Sequence, residues 1–345
     1  VSATTVARTV SPEPPTVTVS IRRDRANPMS LEQANVRLKA AVNRFRDETG
    51  FEKGIGYSQE DTSEGRDVYA LTIHVDGEGR PASYIGSVHN GPGTDARDDP
   101  KVIERLHRRA DKFEARATES VTNVTSFGDG STGSVSTATL SPDWRVFESP
   151  QRDTVSDWGV FETDMNVGTY IYNDDDEPKT YHFGTFTSHR NSPGVHTYNN
   201  NYHQNNGGME HDYGTGHPVD LGRYAPASNK TGNYSYSGSI GVGIDGQSLT
   251  IGASYDPVNV SRFDESDDVR DRAVWDWSYN PKLLWDGATQ NPDTFEPSSL
   301  GYTETTPEQD DLIVTIDRSA DWFDPRAGST SPDLSSATLI RYDSA

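Results

Sequence analysis

The chain has no cysteine, which excludes disulfides, thiolate metal sites and a cysteine nucleophile. Lysine is scarce: only seven of the 31 basic residues are lysine, against 53 acidic residues and a formal net charge of −22. Phosphate binding needs clustered cations, so this balance argues against nucleic acid or anionic membranes as direct partners. No run approaches the ~18 apolar residues of a membrane-spanning helix. A GxSxG elbow, a P-loop, a kinase-like motif set and HExxH are all missing.

What is present is an acid excess together with six Trp, sixteen Tyr and eleven Phe in patterned segments. The aromatics argue against disorder. Acid excess with little lysine suits a protein of molar-salt habitats, where screening cancels the self-repulsion. The opening "VSATTVARTVSPEPPTVTV" reads as the start of a mature secreted protein. Sequons at Asn123, Asn229, Asn233 and Asn259 are candidate glycosylation sites consistent with that location, the extracellular space or the cell or virion surface of a halophile.

Residues 1–15 read as an extended arm, and "TVTVSIRR" as a strand free to add to a neighbour's sheet edge. Ser30 and Gln33 form a capping-box pattern before Leu31, Ala34, Leu38, Ala41, Val42 and Phe45 at helical spacing, and Gly50 is the stop. After further strands, Asp99 and Pro100 open a second helix with Val102, Ile103, Leu106, Ala110, Phe113 and Ala117 as its stripe. These elements predict a small α+β domain over residues 16–122. A Gly/Ser linker covers 123–138. Residues 139–345, short β-branched and aromatic runs broken by Gly, Pro, Asn and Asp, predict an all-β sandwich-like domain. The tract from His189 to Pro218 shows no apolar period and reads as a long loop.

"GVGIDG", Gly241 to Gly246, matches the glycine spacing of a dinucleotide-binding loop. Such a loop needs a helix after the glycines, and here "QSLTIGASY" alternates as a strand. With Asp245-Gly246 as a two-residue turn, Val242 faces Leu249, Ile240 faces Ile251, Gly238 faces Ala253 and Tyr236 faces Tyr255. One face then carries Tyr234, Tyr236, Ile240, Val242, Ile244, Leu249, Ile251 and Tyr255, and the other small polar residues. Asp245 is the only charge from Thr231 to Tyr255. Two readings stand: a central hairpin covered by a loop or a neighbouring subunit, or an amphipathic pair of the length that crosses a bilayer.

Beyond the hairpin come "SRFDESDDVRDR", "AVWDWSYNPKLLWDG" and "DDLIVTIDRSADW". This order over residues 232–322 resembles leukocidin/haemolysin-type β-barrel pore-forming toxins. A fainter likeness, in "SLTIGASY" followed by acidic residues and "WDW", is to the halocins, secreted antimicrobial proteins of haloarchaea. The first resemblance implies a secreted monomer that forms a ring and inserts its hairpins. Trp275, Trp277, Tyr279 and Trp285 are candidates for a membrane-facing aromatic rim, or else core and sandwich-edge residues.

Six of the nine histidines lie between His182 and His217. His189 and His196 are metal candidates if the loop folds back, the alternative being solvated loop histidines. Asp174, Asp175 and Asp176 offer oxygens for calcium, without EF-hand spacing, or form a charged turn. No other cofactor and no catalytic residue is indicated, and an enzyme, a secreted hydrolase, ranks third. The leading expectation is a homo-oligomeric, membrane-acting, toxin-like protein. The alternative is a structural subunit of a surface layer, filament or virion.

Overall fold

The computed structural model describes residues 16–63, 65–90, 99–119, 144–173, 178–194, 202–225, 230–231, 234–241, 248–255, 260–267, 269–279 and 293–344. In chain order, the first part holds β1 (Val17–Arg22), β2 (Met29–Ser30), α1 (Leu31–Thr49), β3 (Ile55–Glu60), β4 (Arg66–Val75), β5 (Pro81–His89) and α2 (Pro100–Glu119). Next come β6 (Arg145–Val155), β7 (Gly159–Tyr172), β8 (Thr180–Pro193), β9 (His203–Asp212), β10 (Asp220–Ala225) and β11 (Lys230–Thr231). A hairpin, β12 (Tyr234–Gly241) and β13 (Ser248–Tyr255), precedes β14 (Val260–Asp264), β15 (Arg272–Tyr279), β16 (Asp293–Phe295) and β17 (Ser298–Thr303). The chain closes with β18 (Leu312–Asp324), β19 (Ser329–Thr330) and β20 (Leu334–Asp343).

Apart from β12 and β13, which pair with each other, these strands form two packed sheets, with α1 and α2 in the N-terminal region: an α+β part followed by a β-sandwich. The larger sheet runs β1-β4-β5-β6-β7-β8-β17-β10, and the smaller β11-β14-β15-β9-β18-β20-β3. Both draw strands from each end of the chain. β5 pairs with β6 in parallel, and β3 pairs with the C-terminal β20. The strand expected to be free for a neighbour is committed within the chain: β1 pairs antiparallel with β4, because its alternating Val17 and Ile21 have α1 to pack against.

Both helices follow from their local signals. Ser30 Oγ accepts from the Gln33 amide, Gln33 Oε1 accepts from the Ser30 amide, and Gly50 closes α1 with a left-handed φ of 65°. The six apolar residues of the stripe are all buried, against β1, β4, β5 and β3. Each large side chain so buried contributes about 1.5–3 kcal/mol. α2 lies on Tyr69, Tyr84, Val88 and Val160 through Ile103, Leu106, Ala110 and Phe113. It is also fastened by ions: Arg109 Nε reaches Asp153 Oδ2 at 2.5 Å and Arg105 Nη2 reaches Glu162 Oε1 at 2.5 Å.

The tract expected as a loop is largely strand. His189 to Pro193 end β8, and β9 begins at His203. The pattern escaped detection because the buried positions are polar: Thr185, Thr187, His189, Asn191, His203, Gln204 and His211 lie at 7% exposure or less. His211 joins Thr187 Oγ1 (3.2 Å) and Ser299 Oγ (2.8 Å) across the sandwich. Burial holds its ring neutral, with the pKa pushed down to about 3.

A buried ion cluster links the sheets beside the start of α1, where the Asn35 side chain bonds to the Glu60 backbone. Glu60 accepts from Arg152 Nε (2.7 Å), Arg318 Nη2 (3.2 Å), Arg66 Nη1 (3.3 Å) and Thr338 Oγ1 (2.5 Å). The three guanidiniums outweigh burial and hold its carboxyl down to about 2. Beside it, Glu148 accepts from Ser58 Oγ (2.9 Å) and Ser83 Oγ (3.0 Å), yet burial pushes it up to about 7.

Replacing Glu60 with Gln strands three buried cations and is expected to destabilise the fold by about 3–5 kcal/mol in urea titration. Glu148 makes stability pH-dependent in the opposite sense to Glu60. Its raised folded pKa favours the protonated form, so its contribution is complete below the unfolded value and disappears as pH rises through about 7. Glu60 contributes fully above the unfolded value and loses that contribution as pH falls toward about 2. Unfolding free energy is therefore expected to fall between pH 5 and pH 8, by on the order of 2–3 kcal/mol from Glu148. Burial also pushes Asp153 up to about 7 and Asp317 up to about 6, so Glu148→Gln should reduce that slope without abolishing it; an unchanged slope would place the titration elsewhere.

Candidate hairpin site and the polar interior

β12 and β13 form a separate two-stranded sheet and, among the described residues, pair with neither main sheet. The arms are rooted in the smaller sheet, because β11 and β14 flank them at its edge and pair through Lys230↔Arg262 and Thr231↔Ser261. From that edge the hairpin lies across to the larger sheet, β12 beside β10 and β13 beside β16. An isolated two-stranded hairpin is marginal in water, so this position beside the sandwich is what holds it.

The hairpin exists as expected, but its register differs. The ladder pairs Tyr234↔Tyr255, Tyr236↔Ala253, Gly238↔Ile251, Ile240↔Leu249 and Gly241↔Ser248. This is two residues away from the ladder that an Asp245-Gly246 turn would set. A two-residue shift keeps every residue on its own face, so face segregation could not separate the two ladders; only the turn could. Tyr234, Tyr236, Ile240, Leu249, Ile251 and Tyr255 still share one parity. Val242 and Ile244 lie outside the described residues. A strand, β13, follows Gly246, and this leaves no helix to complete a dinucleotide loop.

The aromatic rim is corrected. Trp275, Trp277 and Tyr279 are 0%, 3% and 3% exposed and sit in the main inter-sheet core with Met209, Phe295 and Ile316. They occupy alternate positions of β15, whose period of two turns all three inward. Trp277 fills the space over Gly207, where a Cβ would lie 2.4 Å from its indole. Trp285 lies outside the described residues.

His189 is buried between the sheets rather than in a loop. Its Nδ1 is 2.9 Å from Thr163 Oγ1, and burial drives its pKa down to about 3. Among the described residues no group of three or more His, Asp or Glu could hold a metal ion. His196, Asp174, Asp175, Asp176 and the sequon residues Asn123, Asn229, Asn233 and Asn259 lie outside them. His217 is tied locally, to Asp311 at 2.9 Å and the Thr305 carbonyl at 3.0 Å.

Sequence reasoning missed Glu60, Arg66, Glu148, Arg152 and Arg318. A signal was there: Arg318 shares parity with the buried Val314, Ile316 and Ala320, where a charge breaks the apolar alternation.

No family model and no curated protein matches this chain, so the halocin likeness gains no support. Two of the solved structures to which the chain is similar are a pore-forming protein and a toxin. A "Pore forming protein" is 10% identical, over 63% of this chain and 92% of that one, at a TM-score of 0.32. The Clostridium perfringens NetB toxin in its membrane-inserted form is 7% identical, over 53% and 88%, at a TM-score of 0.23. Scores this low establish neither a shared fold nor a shared function.

The register is open to a direct check. In the observed ladder a Ser237→Cys, Gly252→Cys pair should cross-link on oxidation, and a Ser237→Cys, Ser254→Cys pair should not. The reverse result would restore the tight-turn ladder.

Proposed function

We propose that this protein acts on membranes by assembling several copies and inserting the 234–255 hairpin into a bilayer. The observation that carries the reading is the hairpin's isolation: its strands bond only to each other among the described residues. Leaving the sandwich would therefore break no ladder of either main sheet. The run from Thr231 to Tyr255 has Asp245 as its only charge, in a chain that is 24% charged. Ladder parity separates Ile240, Leu249 and Ile251 from Ser235, Ser237 and Ser239. Apolar residues toward lipid and small polar ones toward a lumen is the alternation of a membrane β-barrel.

Each paired arm has eight residues, short of the ~9–11 that cross a bilayer. Extending the ladder into 242–247 supplies the difference, so insertion lengthens the hairpin at its apex. The acid excess fits work outside the cell in concentrated salt, where screening removes the self-repulsion.

The test is dye release from vesicles of diphytanyl-phosphatidylcholine, which carries no net charge, in molar KCl. Wild type should release dye. A variant carrying Ile240→Asp and Ile251→Asp, folded by circular dichroism, should lose at least nine-tenths of that activity. No release by wild type at any concentration, with filaments or large particles forming instead, would overturn the reading in favour of a surface-layer, filament or virion subunit.

A further inference from the structure

β6 carries charge on both of its faces. Arg152 turns inward to Glu60, and its neighbour Asp153 turns outward, beneath α2. The two buried carboxyl groups are served very differently. Both oxygens of Glu60 are engaged, by three guanidiniums and the hydroxyls of Ser336 and Thr338. Asp153, 1% exposed, is supported at one oxygen only. Tyr84 Oη donates to its Oδ2 at 2.8 Å and Arg109 Nε lies 2.5 Å from the same atom, while Oδ1 has no hydrogen-bond partner.

A second carboxylate stands beside it. Glu162 of β7 is the ladder partner of Asp153, and Asp164 is that of Gln151. Against this row α2 sets three arginines. Arg105 Nη2 and Arg109 Nη1 reach Glu162 Oε1 at 2.5 and 3.1 Å, and Arg116 Nη2 reaches Gln151 Oε1 at 3.2 Å. Arg109 thus divides one charge between two carboxyl groups. Ionising Asp153 in place puts a half-supported charge next to a like one, away from water, which is costly. Burial dominates, the Arg109 charge opposes it, Glu162 and Asp164 add to it, and the carboxyl rises to about 7.

The cover over Asp153 is the helix itself. Tyr84, which donates to Asp153, also reaches the Leu106 carbonyl of α2 at 3.4 Å, and it packs on Leu106, Ala110 and Phe113. Lifting α2 hydrates the carboxyl and returns it toward its ordinary range, so docking and protonation are linked. On its other flank α2 is tied to β1 and β4. Arg22 pairs with Asp111 and Glu114, and His107 Nε2 meets the carbonyls of Arg23 and Tyr69 at 3.0 and 3.2 Å.

We propose that α2 is a pH-controlled latch, held on the larger sheet while Asp153 is protonated and released when Asp153 ionises, uncovering Tyr69, Tyr84, Val88 and Val160. Because the docked carboxyl titrates above the undocked one, docking is strongest below the ordinary carboxylate range and weakens as pH rises through about 7. The latch sits toward the β1 end of the larger sheet, away from β10 and the hairpin, and is independent of the hairpin's role.

Hydrogen–deuterium exchange of the full chain in molar KCl tests it, with rates corrected for the intrinsic pH dependence of exchange. From pH 5 to pH 8 the opening constant of the α2 amides should rise on the order of 10- to 100-fold, more than that of the β7 and β8 amides. Asp153→Asn, neutral at every pH, should cut the rise to about threefold or less. An unchanged wild-type opening constant over this range would overturn the proposal, as would α2 amides that exchange only with global unfolding, together with β7 and β8. Equal rises in wild type and folded Asp153→Asn would do the same.

Discussion

Glu60 is the point on which the two sheets are hung. Its carboxylate, at the end of β3, takes hydrogen bonds from Arg66 on β4, Arg152 on β6 and Arg318 on β18. Ser336 and Thr338 of β20 complete its coordination at 3.2 and 2.5 Å. One buried carboxylate thus joins residues from the beginning, middle and end of the chain. A buried ion cluster adds little net stability over a packed apolar alternative, but breaking it is expensive. What it supplies is registry. β3 at the edge of the smaller sheet stays opposite β6 of the larger one, and α1 is held against β3 and β4.

That constraint explains the contrast between the sandwich and the hairpin. Between the main sheets an apolar core is interleaved with polar side chains, and His211 and Tyr213 are joined across the layers to Thr187, Thr185 and Ser299. Many directional bonds there have to be satisfied at once, so the sheets cannot slide. The hairpin shares none of these ladders and rests beside β10 and β16. A rigid frame with one separately bonded element is an arrangement in which that element moves first.

The limits of legibility are specific. α1 and α2 could be read because capping residues and a helical stripe are local in sequence, and the structure buries that stripe. The hairpin's existence was equally local. Its register was not, since shifts of two preserve parity. β8 and β9 were missed where Thr187, His189, Asn191 and His203 face inward, because polar side chains hide a strand's period. Trp275, Trp277 and Tyr279 were open to either reading as a rim or as core, though "AVWDWSY" alternates as a buried strand does.

Sequence by itself determined the helices, the presence of a glycine-rich hairpin, the absence of cysteine chemistry and the strong negative charge. Each rests on neighbours within a few residues or on composition alone. Only the tertiary structure decided that the polar residues of β8, β9 and β18 form the interior, and that Glu60 meets three arginines. It also showed that the change in composition after residue 122 is not a break in the sheets, since β5 pairs with β6 and β3 with β20. The physical reason is that a buried charge is tolerable only beside its partners. Those partners lie up to 258 residues away, from Glu60 to Arg318, where no local pattern points to them.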